Sequence, residues 1–507
     1  MTLPDPDAWP VADSLDGDED LLTQRAAATP QVPAVVDADR DEQWTYARMD
    51  ERATATARWL CERVTSAGRV GLLLDAGMAF VDSYFATARW GVPAVPLNVR
   101  LDGDALAAQV ERADLTAVVA GASTCETARS ITPEAVPVLA AEDRPTGPDC
   151  GRRREGGSTS EPSVSRQSTA ERLVLFTSGT TGRPKGVRLT RENLVASAVG
   201  SADRLGVEAG DRWLAPLPPY HMGGLAPLIR STLHGTTTVL QREFDPGATA
   251  VAVDDRGVTA LSLVPTALGR LLDDGWRPPE SLRFVLLGGG PASRDLVERA
   301  TARGVPVAPT YGLTETASQV ATATPAEARD HPESVGRPLR TVEAAVVDDG
   351  ICDPGETGEV VVDGPTVTPG YLDPGLTAGA FDDRGLRTGD LASRDDDGRL
   401  RIAGRVDDRI VTGGENVDPG RVAEALCALE SVEDAAVVGL PDDEWGERVA
   451  ALVVGPPSLT AAAVRDGVRE SLADFEVPKT VVVVDALPRT PSGTVDRGAV
   501  RDHLEPG

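Results

Sequence analysis

The sequence predicts an α/β protein: a large amino-terminal body of doubly wound α/β sheets, a short β-rich section, and a small mobile α+β carboxy-terminal domain. Three observations carry this. From residue 69 onward, short apolar runs alternate with stretches of helical spacing, the rhythm of βαβ units and mainly parallel sheet. After about residue 340 the chain turns Gly- and Asp-rich, with short apolar runs in between. Finally, 507 residues at 41% hydrophobic content supply a large core, enough for about two to four folding units.

The elements follow in order. RVGLLL at 69–74 reads as a buried strand and Gly77–Trp90 as a helix. VPAVPL is a short strand, ALAAQVERAD an amphipathic helix, and LTAVVA the next strand. The alternation breaks over 143–171, where Gly, Pro, Ser and Arg dominate, and this stretch is expected to be a flexible insertion. It resumes with RLVLF, TTTVL, ALSLV, RFVLLGG and VPVAPTY as strands. EAAVVDDG and GEVVVDG supply the β-rich section. The last hundred residues read as a hairpin at 405–414 (RVDDRIVTGG), a helix (RVAEALCALE), further strands, and a final helix from Asp496 to His503. The expected division is a large domain over 1–404 and a small one over 405–507. No repeat of 20–50 residues is present.

Composition removes several function classes. The net charge is −29, with only two lysines, Lys185 and Lys479, among 50 basic residues. A chain this acidic is unsuited to nucleic acid or an anionic membrane surface. Dispersed acidity with scarce lysine suits a salt-rich, halophilic cytoplasm. The first twenty residues carry no basic n-region and no apolar h-region, so a cytoplasmic location is expected, with no membrane insertion. Five cysteines (Cys61, Cys125, Cys150, Cys352, Cys427) form no CxxC pair, and four histidines show no HxxxH spacing, so neither a disulfide framework nor a zinc site is expected. Self-association into a homo-oligomer stays open.

The most informative segment is LFTSGTTGRPKGV at 175–187. Thr177, Ser178, Thr180 and Thr181 offer hydroxyls, Gly179 and Gly182 free the backbone to turn inward, and Lys185 adds a cation. That combination binds phosphate. It is not a Walker A loop, because Lys185 lies between Pro184 and Gly186.

Here the chain resembles the adenylate-forming superfamily of acyl-CoA synthetases, luciferases and nonribosomal-peptide adenylation domains, and further motifs extend the resemblance over nearly its whole length. YGLTETASQ at 311–319 resembles the motif in which Tyr311 and Thr314 would contact ATP and Glu315 would hold Mg2+. RTGD at 387–390 would place Asp390 on the ribose. GRVDDRIVTGGENVDP at 404–419 resembles the inter-domain hinge, with Arg405 touching ribose or phosphate and Asp407 as the hinge. Gly413, Gly414 and Glu415 would line the path of the coenzyme A thiol. The resemblance implies a carboxylic acid, ATP and coenzyme A as substrates, with Mg2+. The chemistry agrees with the residue types: attack on the α-phosphorus gathers negative charge that Mg2+, Lys185 and loop N–H groups stabilise, and no protein nucleophile is needed.

One departure stands out. LPRTPSGTVDR at 487–497 resembles the family's PRTxSGK motif, but Thr494 occupies the position of its catalytic lysine. Either Lys185, Arg405 and Mg2+ suffice, or Arg489, Arg497 or Lys479 compensates, or adenylation is slow.

LPPYHMGGLAPLIRS at 217–231 sets His221 and Arg230 nine residues apart, where both are expected to face one acyl cavity. Arg230 follows the apolar APLI, and burying it is costly unless it meets an anion. With ENLVASAVGS at 192–201 and LLGGGPAS at 286–293, these segments resemble the o-succinylbenzoate–CoA ligases of menaquinone biosynthesis. That resemblance implies a flat ring against Gly288, Gly289 and Gly290, and a second carboxylate near Arg230. A medium-chain or aryl acyl-CoA synthetase of broader specificity is the alternative acid-activating reading. A weakened nucleotide-binding regulator, suggested by Thr494, is the non-enzyme reading.

Overall fold

A computed structural model describes residues 20–64, 68–146, 170–177, 184–348, 350–442, 444–469, 471–489 and 495–505. The chain divides into two compact units, Met1–Glu343 with Asp363–Leu386, and Ala344–Val362 with Arg387–Gly507.

The first unit contains two sheets. One runs in the order Arg337–Pro338, Ala321–Thr322, Val307–Tyr311, Phe284–Leu287, Ala260–Leu263, Arg212–Ala215, Thr237–Leu240, Pro33–Asp37, Glu42–Thr45. Its six inner strands are parallel, and antiparallel pairs close both edges. Strands such as ALSL and FVLL are buried along their whole length, and apolar but for Ser262, as a parallel sheet covered on both faces requires. The other sheet runs Val138–Ala140, Leu115–Ala120, Arg69–Leu73, Ala94–Pro96, Glu171–Thr177, Lys185–Thr190, parallel except for its last pair. Helix starts are capped as their sequences prescribe. Asp102 accepts from Ala105 N, and Thr190 with Asn193 forms a reciprocal capping box before Arg191–Leu205.

The second unit also carries two sheets. In the first, strands run Glu343–Val347, Thr357–Asp363, Gly385–Arg394, with Leu400–Arg405 antiparallel to the last. The second orders Glu415–Val417, Ile410–Thr412, Gly446–Val454 and Asp434–Asp442, with Thr480–Val484 parallel to Gly446–Val454. The period-2 rule sorts its side chains. Val437, Ala451 and Val453 join one core with helices Pro419–Cys427 and Ala461–Val468, while Ala436, Val438, Ala450 and Leu452 join another with Arg497–Leu504.

One sequence expectation changes, and one boundary is placed. The hairpin expected over 405–414 lies instead over Ile410–Val417, after a short 3-10 turn at Val406–Asp408. Gly413 and Gly414 have φ of 60° and 86°, the positive pair a two-residue turn of type I′ needs, so they form its tip rather than its end. The division expected after residue 404 falls inside the second unit, where Leu400–Arg405 pairs with Gly385–Arg394. Most of the expected insertion, 147–169, lies outside the described residues. No helix among the described residues is long and apolar enough to cross a membrane.

Candidate active site

In the first unit the phosphate-loop candidate is framed by two antiparallel strands, with Thr177 directly opposite Lys185. Ser178, Gly179, Thr180, Thr181 and Gly182 lie outside the described residues. On the far side of Lys185, residues 368–372 run against the strand: Arg188 N donates to Gly370 O (3.1 Å) and Leu372 N to Gly186 O (2.8 Å). This places Tyr371 beside Lys185, whose Nζ stands 5.7 Å from the ring centre. The Tyr371 hydroxyl donates to Glu315 Oε1 at 2.9 Å, and Thr368 N donates to Glu315 O at 2.7 Å. Lys185, Tyr371 and Glu315 thus form a row of cation, ring and carboxylate.

Glu315 lies in a 3-10 turn, Thr314–Thr316, that follows the strand Val307–Tyr311. Leu313 N donates to Thr316 Oγ1, which braces the turn. Beyond it the backbone bends sharply, with Ala317 at φ 53° and Ser318 at φ 136°. For the non-glycine Ser318 that second value is strained, and strain of this kind persists only where the surroundings enforce it. Gly312 is part of the enforcement: a Cβ there would stand 1.7 Å from Ser318 O. Gly288, Gly289 and Gly290 leave the carboxyl end of Phe284–Leu287, the strand paired in parallel with Val307–Tyr311. Both segments therefore emerge at the same end of adjacent parallel strands, the position at which open α/β sheets place ligands.

The helix Met222–His234 carries the other two candidates. His221 is its N-cap, exposed, with its ring edge-on to Tyr220 and its imidazole held below the usual range by desolvation and by Arg100. Arg230 is only 4% exposed. Its guanidinium lies 5.1 Å over the Trp213 ring and donates from Nη2 to Ser318 Oγ at 3.0 Å. Its Nε has no hydrogen-bond partner, and no ion pair among the described residues offsets the charge. Burial pushes its pKa down to about 9. His221 caps this helix at its start and Arg230 lies in its second half. Nine residues at 1.5 Å each separate them by about 13 Å along the axis, and one is exposed while the other is buried.

The second unit holds the remaining candidates. Asp390 (7% exposed) and Arg405 are cross-strand partners, with Arg405 Nη1 donating to Asp390 Oδ1 at 2.8 Å. Buried Glu359 secures the strand around them, accepting from Gly389 N and from Arg387. Asp407 is exposed in the 3-10 turn, and the adjacent Asp408 is ion-paired to Arg497. Gly413, Gly414 and Glu415 are exposed at the hairpin tip, and Gly413 N donates to Trp445 O (2.8 Å). Thr494 lies outside the described residues. The candidates for replacing its missing charge are all engaged: Arg489 with Asp434, Arg497 with Asp408, and Lys479 with its Nζ 3.7 Å over the Trp445 ring.

Sequence reasoning missed Tyr371, Ser318, Glu359 and Trp445. Only Tyr371 left a signal, as a lone aromatic between Gly370 and the LDP turn.

Residues 22–372 match the family described as AMP-binding enzyme, and 421–494 match the AMP-binding enzyme C-terminal domain. A 2-succinylbenzoate–CoA ligase of Bacillus cereus is 35% identical over 493 residues, 96% of this chain and 98% of that one. The o-succinylbenzoate CoA synthetase of Bacillus subtilis, solved with the acyl-adenylate intermediate OSB-AMP, superposes with a TM-score of 0.86 at 32% identity, covering 96% and 98% of the two chains. The same enzyme solved with ATP and magnesium ion gives 0.84 at 32% identity, covering 96% and 99%.

Proposed function

This chain belongs to the AMP-binding enzyme family, and on that premise we propose that it joins 2-succinylbenzoate to coenzyme A using ATP. A carboxylate oxygen of the acid attacks the α-phosphorus of ATP, and pyrophosphate leaves. The coenzyme A thiol, losing its proton, then attacks the acyl carbon of the adenylate, and AMP leaves with the carbon–oxygen bond electrons. Mg2+ arrives with ATP and offsets charge on the phosphate oxygens, and a single carboxylate, Glu315, suits an ion held by one or two carboxylates plus substrate phosphates.

In this reading Thr177, the hydroxyls and N–H groups of 178–182, and Lys185 hold the phosphates, with Thr314 at the α-phosphate and Tyr311 against the nucleotide. Asp390 and Arg405 take the ribose, already arranged as a pair 2.8 Å apart. Asp407 is the hinge between the half-reactions, within a protein divided functionally near 404, and Gly413, Gly414 and Glu415 guide the thiol. His221 stands at the entrance to the acyl site, its imidazole held below the usual range by desolvation and by Arg100. Gly288, Gly289 and Gly290 give the aromatic ring a backbone surface.

One observation carries the choice of acid. Arg230 is buried with no carboxylate partner among the described residues, and 2-succinylbenzoate brings a carboxylate that does not react. The location read for this enzyme is a salt-rich cytoplasm.

Acid-dependent pyrophosphate release, measured over a panel of acids in molar KCl, tests the reading. 2-Succinylbenzoate is expected to exceed benzoate and medium-chain fatty acids, with thioester forming only when coenzyme A is present. Lys185→Ala is expected to lower turnover by on the order of 10²-fold. A preference for a monocarboxylic fatty acid would instead make the chain a general acyl-CoA synthetase.

A further inference from the structure

We propose that Tyr371 is a positioning residue that aims the Glu315 carboxylate at the metal of MgATP and keeps Lys185 and Glu315 apart. The inference rests on the reading above, in which Glu315 meets the metal and Lys185 the phosphates.

The geometry points to it in three steps. First, Tyr371 cannot drift. Its own N donates to Thr377 Oγ1 (2.9 Å), and its neighbours Gly370 and Leu372 are bonded to the strand Lys185–Thr190 at Arg188 N and Gly186 O. Second, the segment holds Glu315 from both ends, through the Thr368 N to Glu315 O bond and the phenol to Oε1 bond of 2.9 Å. Tyr371 is 7% exposed, and a buried phenol needs a partner. A purely structural tyrosine is satisfied by any backbone carbonyl, whereas this one uses Oε1 of a site carboxylate, whose second oxygen, Oε2, has no partner among the described residues. Outer partners of this kind fix ligand orientation, and their loss typically costs about 10- to 100-fold in metal affinity.

Third, the ring is a spacer. Lys185 Nζ rests 5.7 Å from the centre of the ring whose hydroxyl holds Glu315, and no ion pair joins the two charges among the described residues. A direct pair would neutralise both groups before ATP arrives. The aromatic face instead holds the ammonium weakly, and a phosphate displaces it at little cost.

Tyr371→Phe separates the two roles, because it removes the hydroxyl and keeps the ring. Mn2+ binding, followed by electron paramagnetic resonance on enzyme with the non-hydrolysable α,β-methylene ATP, is expected to weaken about 10-fold or more. The Mg2+ concentration for half-maximal pyrophosphate release is expected to rise in parallel, with turnover recovering at saturating Mg2+ and analogue affinity without metal unchanged. In a Glu315→Gln background the same change is expected to add nothing to the loss. Tyr371→Leu, which deletes the spacer, is expected to weaken analogue binding without metal as well. Wild-type Mn2+ affinity in Tyr371→Phe overturns the proposal. So does a lowered melting temperature with turnover that no Mg2+ concentration restores, the mark of a structural tyrosine. If wild-type enzyme releases no acid-dependent pyrophosphate, the functional reading fails instead, and the Mn2+ measurements still decide the role of Tyr371.

Discussion

Among the described residues the Arg230 guanidinium has a neutral hydroxyl partner and an indole face, and no anion of the kind that offsets a buried charge. Arg230 therefore costs the empty protein stability and returns it when a carboxylate binds, the trade expected where a site is built for its ligand. Arg230→Met keeps the length of the side chain and removes the charge. Its melting temperature is expected to equal or exceed that of wild type, and 2-succinylbenzoate is expected to raise the melting temperature of wild type alone. The loss in kcat/KM for that acid is expected to be about 10- to 150-fold, the range of a charge-assisted hydrogen bond of about 1.5–3 kcal/mol. Benzoate, which lacks the second carboxylate, is expected to lose far less. A lower melting temperature with equal losses for both acids would make Arg230 structural. The sequence supplied the arginine, because a charge within an apolar run announces itself. It could not supply Ser318, since a serine in YGLTETASQ carries no mark of a φ of 136° or of a partner 88 positions away.

At the level of elements, the turn Val406–Asp408 joins the strand Leu400–Arg405 to the hairpin Ile410–Val417. Asp407 sits in its first turn, where N–H groups have no intrahelical acceptor, so a proline there fixes φ without removing a helical hydrogen bond. Asp407→Pro is expected to uncouple the half-reactions, leaving either pyrophosphate release or thioester formation near wild type and slowing the other. Both half-reactions at wild-type rate would remove Asp407 as the hinge. Elements such as this were legible in proportion to their periodicity. Long apolar strands and the helices Met78–Trp90 and Gly103–Ala113 stand where their patterns put them. The hairpin was displaced because Gly-Gly reads equally as the end of an element and as the middle of a turn, and only pairing between Thr412 and Glu415 decides. The edge of the second unit was also illegible, because it depends on contacts between Thr357–Asp363 and Gly385–Arg394, segments more than twenty residues apart.

Across the whole molecule, 79 acidic residues face 50 basic ones, 48 of them arginine. In every ion pair among the described residues the cation is an arginine. The buried pairs use the planar fork fully: Arg52 meets Asp82 through Nε at 2.9 Å and Nη2 at 2.5 Å, and Arg144 meets the same carboxylate at 2.9 Å. Salt barely reaches such pairs, so they hold at any ionic strength. The surplus carboxylates are different. They are mostly exposed, they repel one another, and their repulsion destabilises the compact state. Screening shortens the Debye length from about 10 Å at 0.1 M to about 3 Å at 1 M, less than the usual spacing of surface charges. The melting temperature is therefore expected to rise steeply with KCl up to about 1 M and to level off beyond it, where further shortening of an already short length changes little. A neutral osmolyte at equal concentration is not expected to reproduce the rise, since it leaves the charges unscreened. A melting temperature that stays flat or falls between dilute buffer and molar KCl would show that the −29 charge is already balanced by the arginine pairs, and the salt-rich setting would lose its physical basis.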